Sequence, residues 1–149
     1  MTEVVFRPAT AADVASVVTL LADDRLGRKR EQGELAGYSA AFDAMQAEGN
    51  NHLVVGTFGA EIVACYQITF ISGLSLSAAR RAQIEGVRVA AAHRRQRIGQ
   101  ALIHDAETRA RAAGCTLLQF TTNKSRADAH RFYDRLGFTA SHIGYKKSL

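Results

Sequence analysis

The chain has no tryptophan, a single proline (Pro8) and only two cysteines, Cys65 and Cys115. One proline leaves no Pro-rich linker and no collagen-like repeat. Two cysteines without CxxC spacing make neither a secreted disulfide framework nor a zinc site. Each lies in an apolar segment, which reads as two reduced, buried thiols in a cytoplasmic protein. No apolar run approaches the ~18 residues of a membrane span, and the opening MTEVVFRP lacks the basic and apolar regions of a signal peptide. No membrane partner is therefore expected. Aromatics are 7% and no RNP-like or helix-turn-helix pattern occurs, so no nucleic-acid partner is expected either. His52, His93, His104, His130 and His142 include no HxxxH pair, so no metal site is expected. No Gly-x-Ser-x-Gly or Cys/His arrangement supports a covalent nucleophile.

What is present fits one domain over residues 1–149, with 47% hydrophobic and 22% charged residues. Nineteen Lys and Arg against fourteen Asp and Glu give a net charge of +5, which favours an anionic ligand. Residues 3–7 form a short strand ended by Pro8. Thr10 and Asp13 suit a capping box, and Val14, Val17, Val18 and Leu21 mark one face of a helix over 11–22. The charged stretch 23–34 reads as a loop with at most one helical turn, and 35–48 reads as a second helix. Strands are expected at 52–58 and 61–71 around a Gly59-Ala60 turn, and again at 81–90. Ile98, Ala101, Leu102, Ala106, Ala110 and Ala113 form a helical stripe stopped by Gly114. A strand at 115–122, a helix around Ala129–Leu136 and one or two closing strands complete the order. Three consecutive strands followed by a βαβ-like unit point to an α/β fold with a mixed sheet.

Residues 85–101 carry the chemistry: a strand ends, a basic turn follows and a helix begins. Free N–H groups and the dipole at a helix start attract anions. Gly99 removes a side chain where a phosphate approaches the backbone, and Arg94, Arg95 and Arg97 bring forked donors. Glu85 lies on the preceding strand. On an unbulged strand it would share a face with Val87 and Val89, and burial there would raise its pKa. Gly86 is the candidate for a bulge.

Arg94-Arg95-Gln96-Arg97-Ile98-Gly99 resembles the acetyl-CoA loop of the Gcn5-related N-acetyltransferase (GNAT) family, with Arg97 where the family usually has a glycine. Asn123 and the run Ala129-His130-Arg131-Phe132-Tyr133-Asp134-Arg135-Leu136-Gly137-Phe138 resemble that family's C-terminal motif. The resemblance implies a mostly antiparallel central sheet with flanking helices, splayed between its fourth and fifth strands. It implies acetyl-CoA as cosubstrate, without a metal. Val87, Arg88 and Val89 would pair with its pantetheine amides. The backbone of 94–100, including Ile98 and Gln100, would bind its pyrophosphate, and Asn123 would hydrogen-bond the pantetheine. Tyr133 would protonate the CoA sulfur and Glu85 would take the proton of the incoming amine, which binds beside the loop 23–38. The implied reaction is direct acetyl transfer to a primary amine, of a small molecule first and of a protein or peptide as the alternative. Dimers are common in the family, so a homodimer is the assembly to test. A non-catalytic CoA-binding module is the non-enzymatic alternative.

Overall fold

The computed structural model describes residues 3–23, 26–31 and 33–149. They fall into two compact units, Met1–Gln119 and Phe120–Leu149.

The first unit is built on five strands in the order β1-β2-β3-β4-β5. They are β1 (Val5–Pro8), β2 (Asn51–Phe58), β3 (Glu61–Ile71), β4 (Arg81–Val89) and β5 (Leu117–Gln119). The first four run antiparallel and β5 joins β4 in parallel, which makes the sheet mixed. The β-branched and aromatic residues of β2 and β3 form the buried centre: Val54, Val55, Val63 and Tyr66 are essentially inaccessible.

The helices are α1 (Val14–Ala22), the single turn α2 (Gly27–Arg30), α3 (Leu35–Glu48), the single turn α4 (Ser75–Ala78), α5 (Ile98–Ala112) and, in the second unit, α6 (Ala127–Arg135). The apolar stripe of α1 packs with Phe42 of α3 on Val55 and Cys65, on one face of the sheet. Ile98, Leu102, Ile103, Ala106 and Ala110 bury the stripe of α5 against β3 and β4. The entry to α1 is the expected capping box. Thr10 N donates to Asp13 Oδ2 at 2.7 Å, and the first turn, Ala11–Asp13, winds as a 3-10 helix. The α4 turn is left-handed at Leu76, Ser77 and Ala78, so the small-residue stretch after β3 is a turn without a packed helical face.

Two features of β4 shape the candidate site. It pairs with β5 only over Arg81–Gln83, so the rest of its outer edge has no strand partner among the described residues. This is the splay between the fourth and fifth strands. On its other side the register with β3 jumps from Gln67↔Glu85 to Cys65↔Arg88, a bulge opposite Tyr66. Gly86, at φ 60°, supplies the left-handed residue that a bulge of this kind needs.

The expected strand at 115–122 is only three residues long, and no strand closes the chain. Residues 138–149 lie in the second unit, which holds no strand among its residues, so the segment has no ladder partner there. A strand is defined by its partner, and alternation alone does not supply one.

Candidate active site

The turn after β4 converges on the start of α5. Ala91–His93 make one 3-10 turn; Arg95 (φ 66°) and Arg97 (φ 63°) then take left-handed conformations. Arg97 is the N-cap of α5. The glycine usual in that loop position suits this conformation, and Arg97 holds it with its side chain exposed. The outcome is a cradle of donors. The N–H groups of residues 95–100 have no acceptor among the described residues, and the first bond of the helix is Ala101 N to Arg97 O at 3.1 Å. Arg94 ties the cradle down: its Nε donates to Val89 O at 3.2 Å and its Nη2 to Asp23 O at 3.4 Å. Arg95 and Arg97 make no ion pair among the described residues and leave their charge available.

Of the other candidate residues, Ile98 is buried, so only its N–H faces a ligand; Gly99 is half-buried and Gln96 and Gln100 are exposed. Val87, Arg88 and Val89 are half-buried on the stretch of β4 that β5 leaves uncovered. A pyrophosphate needs N–H donors and positive charge, and pantetheine amides need a free strand edge. Acetyl-CoA therefore fits this donor set.

The bulge changes the surroundings expected for Glu85. Glu85 stands opposite Gln67 and Arg88 opposite Cys65, so both lie on the α1/α3 face, while Val89, opposite Ala64, lies on the α5 face. Glu85 is exposed, and the apolar wall of Val87 and Val89 expected beside it is not found. The end of α1 borders the same place. A Cβ on Gly86 would stand 3.4 Å from Leu21 Cδ2, and Asp23 meets Arg94. In the charged loop, Arg28, Lys29 and Arg30 lie on α2, and Tyr38 Oη donates to Glu31 Oε2 at 2.9 Å. Asp24 and Arg25 lie outside the described residues.

In the second unit, Tyr133 is half-buried on α6 within an aromatic cluster, its ring centroid 4.2 Å from Phe120, 5.2 Å from Phe132 and 5.9 Å from Phe138. Asn123 makes an Asx turn. Its Oδ1 accepts from Ser125 N at 2.9 Å and Ser125 Oγ at 2.7 Å, and its carbonyl accepts from Arg126 N and contacts His130 Nε2.

Two further features stand out. His93 is half-buried against the Phe58 ring, with Nε2 3.6 Å from Glu61 Oε2. The buried Tyr66 and the half-buried Asp105 and Arg109 form a network that no motif marks, although Asp105 and Arg109 stand at i, i+4 on α5. Cys65 is inert: burial pushes its thiol up to about 12, against the opposing pull of Arg88. A shallow groove of about 510 Å³ opens elsewhere, lined by Gly33, Glu34, Gly37, Tyr38 and Ala41, with no residue from β4 or the α5 turn.

The Acetyltransferase (GNAT) family model matches residues 16–138. The chain belongs to the GNAT acetyltransferase family. As a member, it is an acetyl-CoA-dependent acetyltransferase. It is 31% identical to an aminoalkylphosphonate N-acetyltransferase of Salmonella typhimurium over 143 residues, 96% of this chain and 90% of that one. Its fold superposes on a transcriptional regulator from Bacillus halodurans C-125 with a TM-score of 0.94 and 46% identity, covering 99% and 100% of the two chains. A putative acetyltransferase from Agrobacterium tumefaciens str. C58 shares the fold at a TM-score of 0.83 and 23% identity, with 97% and 99% covered. Among the described residues of this acetyltransferase no helix is long and apolar enough to cross a membrane.

Proposed function

We propose that this acetyltransferase acts as one catalytic domain over residues 1–149 and acetylates the primary amine of a small molecule that also carries an anionic group. The observation that carries this reading is the β4 bulge. On a regular strand, residues 85 and 88 would point to opposite faces; here Glu85 and Arg88 share one, opposite residues two apart on β3. That places their backbones about 7 Å apart along the strand. A carboxylate and a guanidinium at that spacing suit a short molecule with an ammonium at one end and an anion at the other. Aminoalkylphosphonates, named for the Salmonella relative, are molecules of this kind. Arg88, whose Nη1 donates to Val87 O at 2.9 Å, would bring positive charge to the anion, and the basic α2 would add long-range attraction.

Acetyl-CoA supplies the activated acyl group, a thioester. The N–H groups of 95–100 would hold its pyrophosphate, and the free edge of β4 its pantetheine. Glu85, directly or through one water, would take one proton from the ammonium, and the neutral nitrogen attacks the carbonyl in a ternary complex. The C–N bond would form and the C–S bond break; the leaving thiolate would take a proton from Tyr133, the residue that the family motif assigns to this step, and the second proton of the nitrogen would pass through solvent to restore the phenol.

Thiol release from acetyl-CoA, measured across a panel of amines, tests the reading. Short amines bearing a phosphonate or phosphate should exceed their uncharged analogues and basic peptides at least tenfold in kcat/KM. Preference for peptides would overturn the acceptor class, and binding of CoA without release on any amine would leave a CoA-binding module. Tyr133→Phe should lower kcat about 10²–10⁴-fold with little change in Tm. Turnover within threefold of the parent would make Tyr133 a packing residue of the Phe120 cluster.

The net charge of +5 and the name of the Bacillus relative favour a second reading, a regulatory role through nucleic acid. It requires duplex DNA binding that falls steeply with salt.

A further inference from the structure

Tyr66 is fully buried, at 0% exposure, and is the β3 residue facing the β4 bulge, between the pairs Cys65↔Arg88 and Gln67↔Glu85. Its Oη donates to Asp105 Oδ2 at 2.5 Å. Arg109 Nε donates to the same oxygen at 2.7 Å, and Arg109 Nη2 reaches Phe6 O on β1 at 3.3 Å. The Phe6 and Tyr66 rings lie 6.4 Å apart, which closes the network over the sheet. Burial, followed by the hydrogen bond to the Asp105 carboxylate, raises the pKa of the phenol, so it stays a donor.

This network ties α5 to β3, the strand that faces the β4 bulge, and so links the two surfaces assigned to the cosubstrate. One is the free edge of β4 around the bulge. The other is the head of α5, seven residues and about 10 Å along the helix from Asp105. The rest of the contact of α5 with the sheet is apolar: Ile98, Leu102, Ile103, Ala106 and Ala110. Apolar burial is non-directional and tolerates small slides and rotations. A short charge-assisted hydrogen bond fixes both distance and angle.

We propose that Tyr66 is a positioning residue for acetyl-CoA: by holding Asp105 it sets the placement of the α5 N-terminus relative to the bulged edge of β4. One ligand must span both surfaces, so an error in their separation weakens the whole ligand but not a fragment that touches only one. The inference rests on the placement of acetyl-CoA at residues 84–89 and 95–100.

The test is calorimetric affinity for CoA and for 3′-phospho-ADP, its nucleotide half. Tyr66→Phe keeps the ring and removes the donor. It should weaken CoA about tenfold while 3′-phospho-ADP stays within twofold, and the KM for acetyl-CoA should rise with kcat within twofold. Asp105→Asn retains an acceptor for the phenol and should weaken CoA about threefold with the same fragment selectivity; it decides the matter if Tyr66→Phe does not fold. Unchanged CoA affinity, or equal weakening of both ligands, overturns the proposal. Gly99→Val separates this outcome from failure of the placement. It should weaken both ligands, and if it weakens neither, the site itself is misplaced and the inference falls with it.

Discussion

Arg7, on β1, gives both ends of its guanidinium to the Asp13 carboxylate, at 2.7 and 3.1 Å, whereas Arg95 and Arg97, at the head of α5, meet no carboxylate among the described residues. The first region is closed. Asp13 is buried, also accepts from Thr10, and has its carboxyl held at about 2, below its ordinary 3.8, chiefly by Arg7. The second region is open, with unpaired positive charge above six N–H groups that have no acceptors. Both contain arginine beside a helix start. Only the second leaves donors for a ligand, and its backbone carries the strain of two left-handed arginines to do so. Pairing, rather than charge, distinguishes an arginine that holds the fold from one that awaits an anion.

The largest effect should come from neither region. Glu85→Gln keeps shape and removes the carboxylate proposed to accept the ammonium proton. It should lower kcat/KM near pH 7 by about 10²–10⁴-fold, with acetyl-CoA affinity unchanged and partial recovery at high pH as free amine accumulates. A mutant with the parental pH–rate profile would remove Glu85 from the chemistry. Next comes the open region. Gly99→Val puts a branched side chain into the first turn of α5 and should weaken acetyl-CoA at least tenfold, about 1.4 kcal/mol, with the fold intact. Unchanged affinity by calorimetry would make the open turn only a solvated surface.

The closed region should respond in stability and not in binding. Asp13→Asn removes the carboxylate but keeps a cap, and should cost about 1–2 kcal/mol at pH 7, reduced by solvent screening of the half-exposed Arg7. The folded-state pKa of Asp13 is depressed, so its contribution is complete above about pH 4. It is lost as pH falls through about 2, where mutant and parent should converge in denaturant midpoint. A constant difference across that window would show that the Arg7–Asp13 pair contributes packing, not charge. The smallest effect is expected at Arg97. Arg97→Gly relieves a left-handed residue and should raise stability by about 0.5–1 kcal/mol, after the entropy cost of glycine. It should lower CoA affinity less than threefold, because the N–H remains; a tenfold loss would show that the Arg97 side chain, and not the cradle, binds the phosphates.

The sequence by itself determined the local elements and the family. Helical periodicity placed α1, α5 and α6; β-branched runs around Gly59-Ala60 placed the β2–β3 hairpin; and the basic turn before Ile98 marked the proposed anion site. These signals are short-range, since a helix face or a two-residue turn is written within a dozen residues. Tertiary structure decided what depends on a partner strand or helix. Glycine at 86 permits a bulge, but only the register against Cys65 and Gln67 turns Arg88 to the face of Glu85 and leaves Glu85 exposed. Tyr66 and Asp105 stand 39 positions apart, and nothing local joins them. Asn123 closes on Ser125, and residues 138–149 form no strand, because hydrogen bonds go to whichever partner the fold brings within reach.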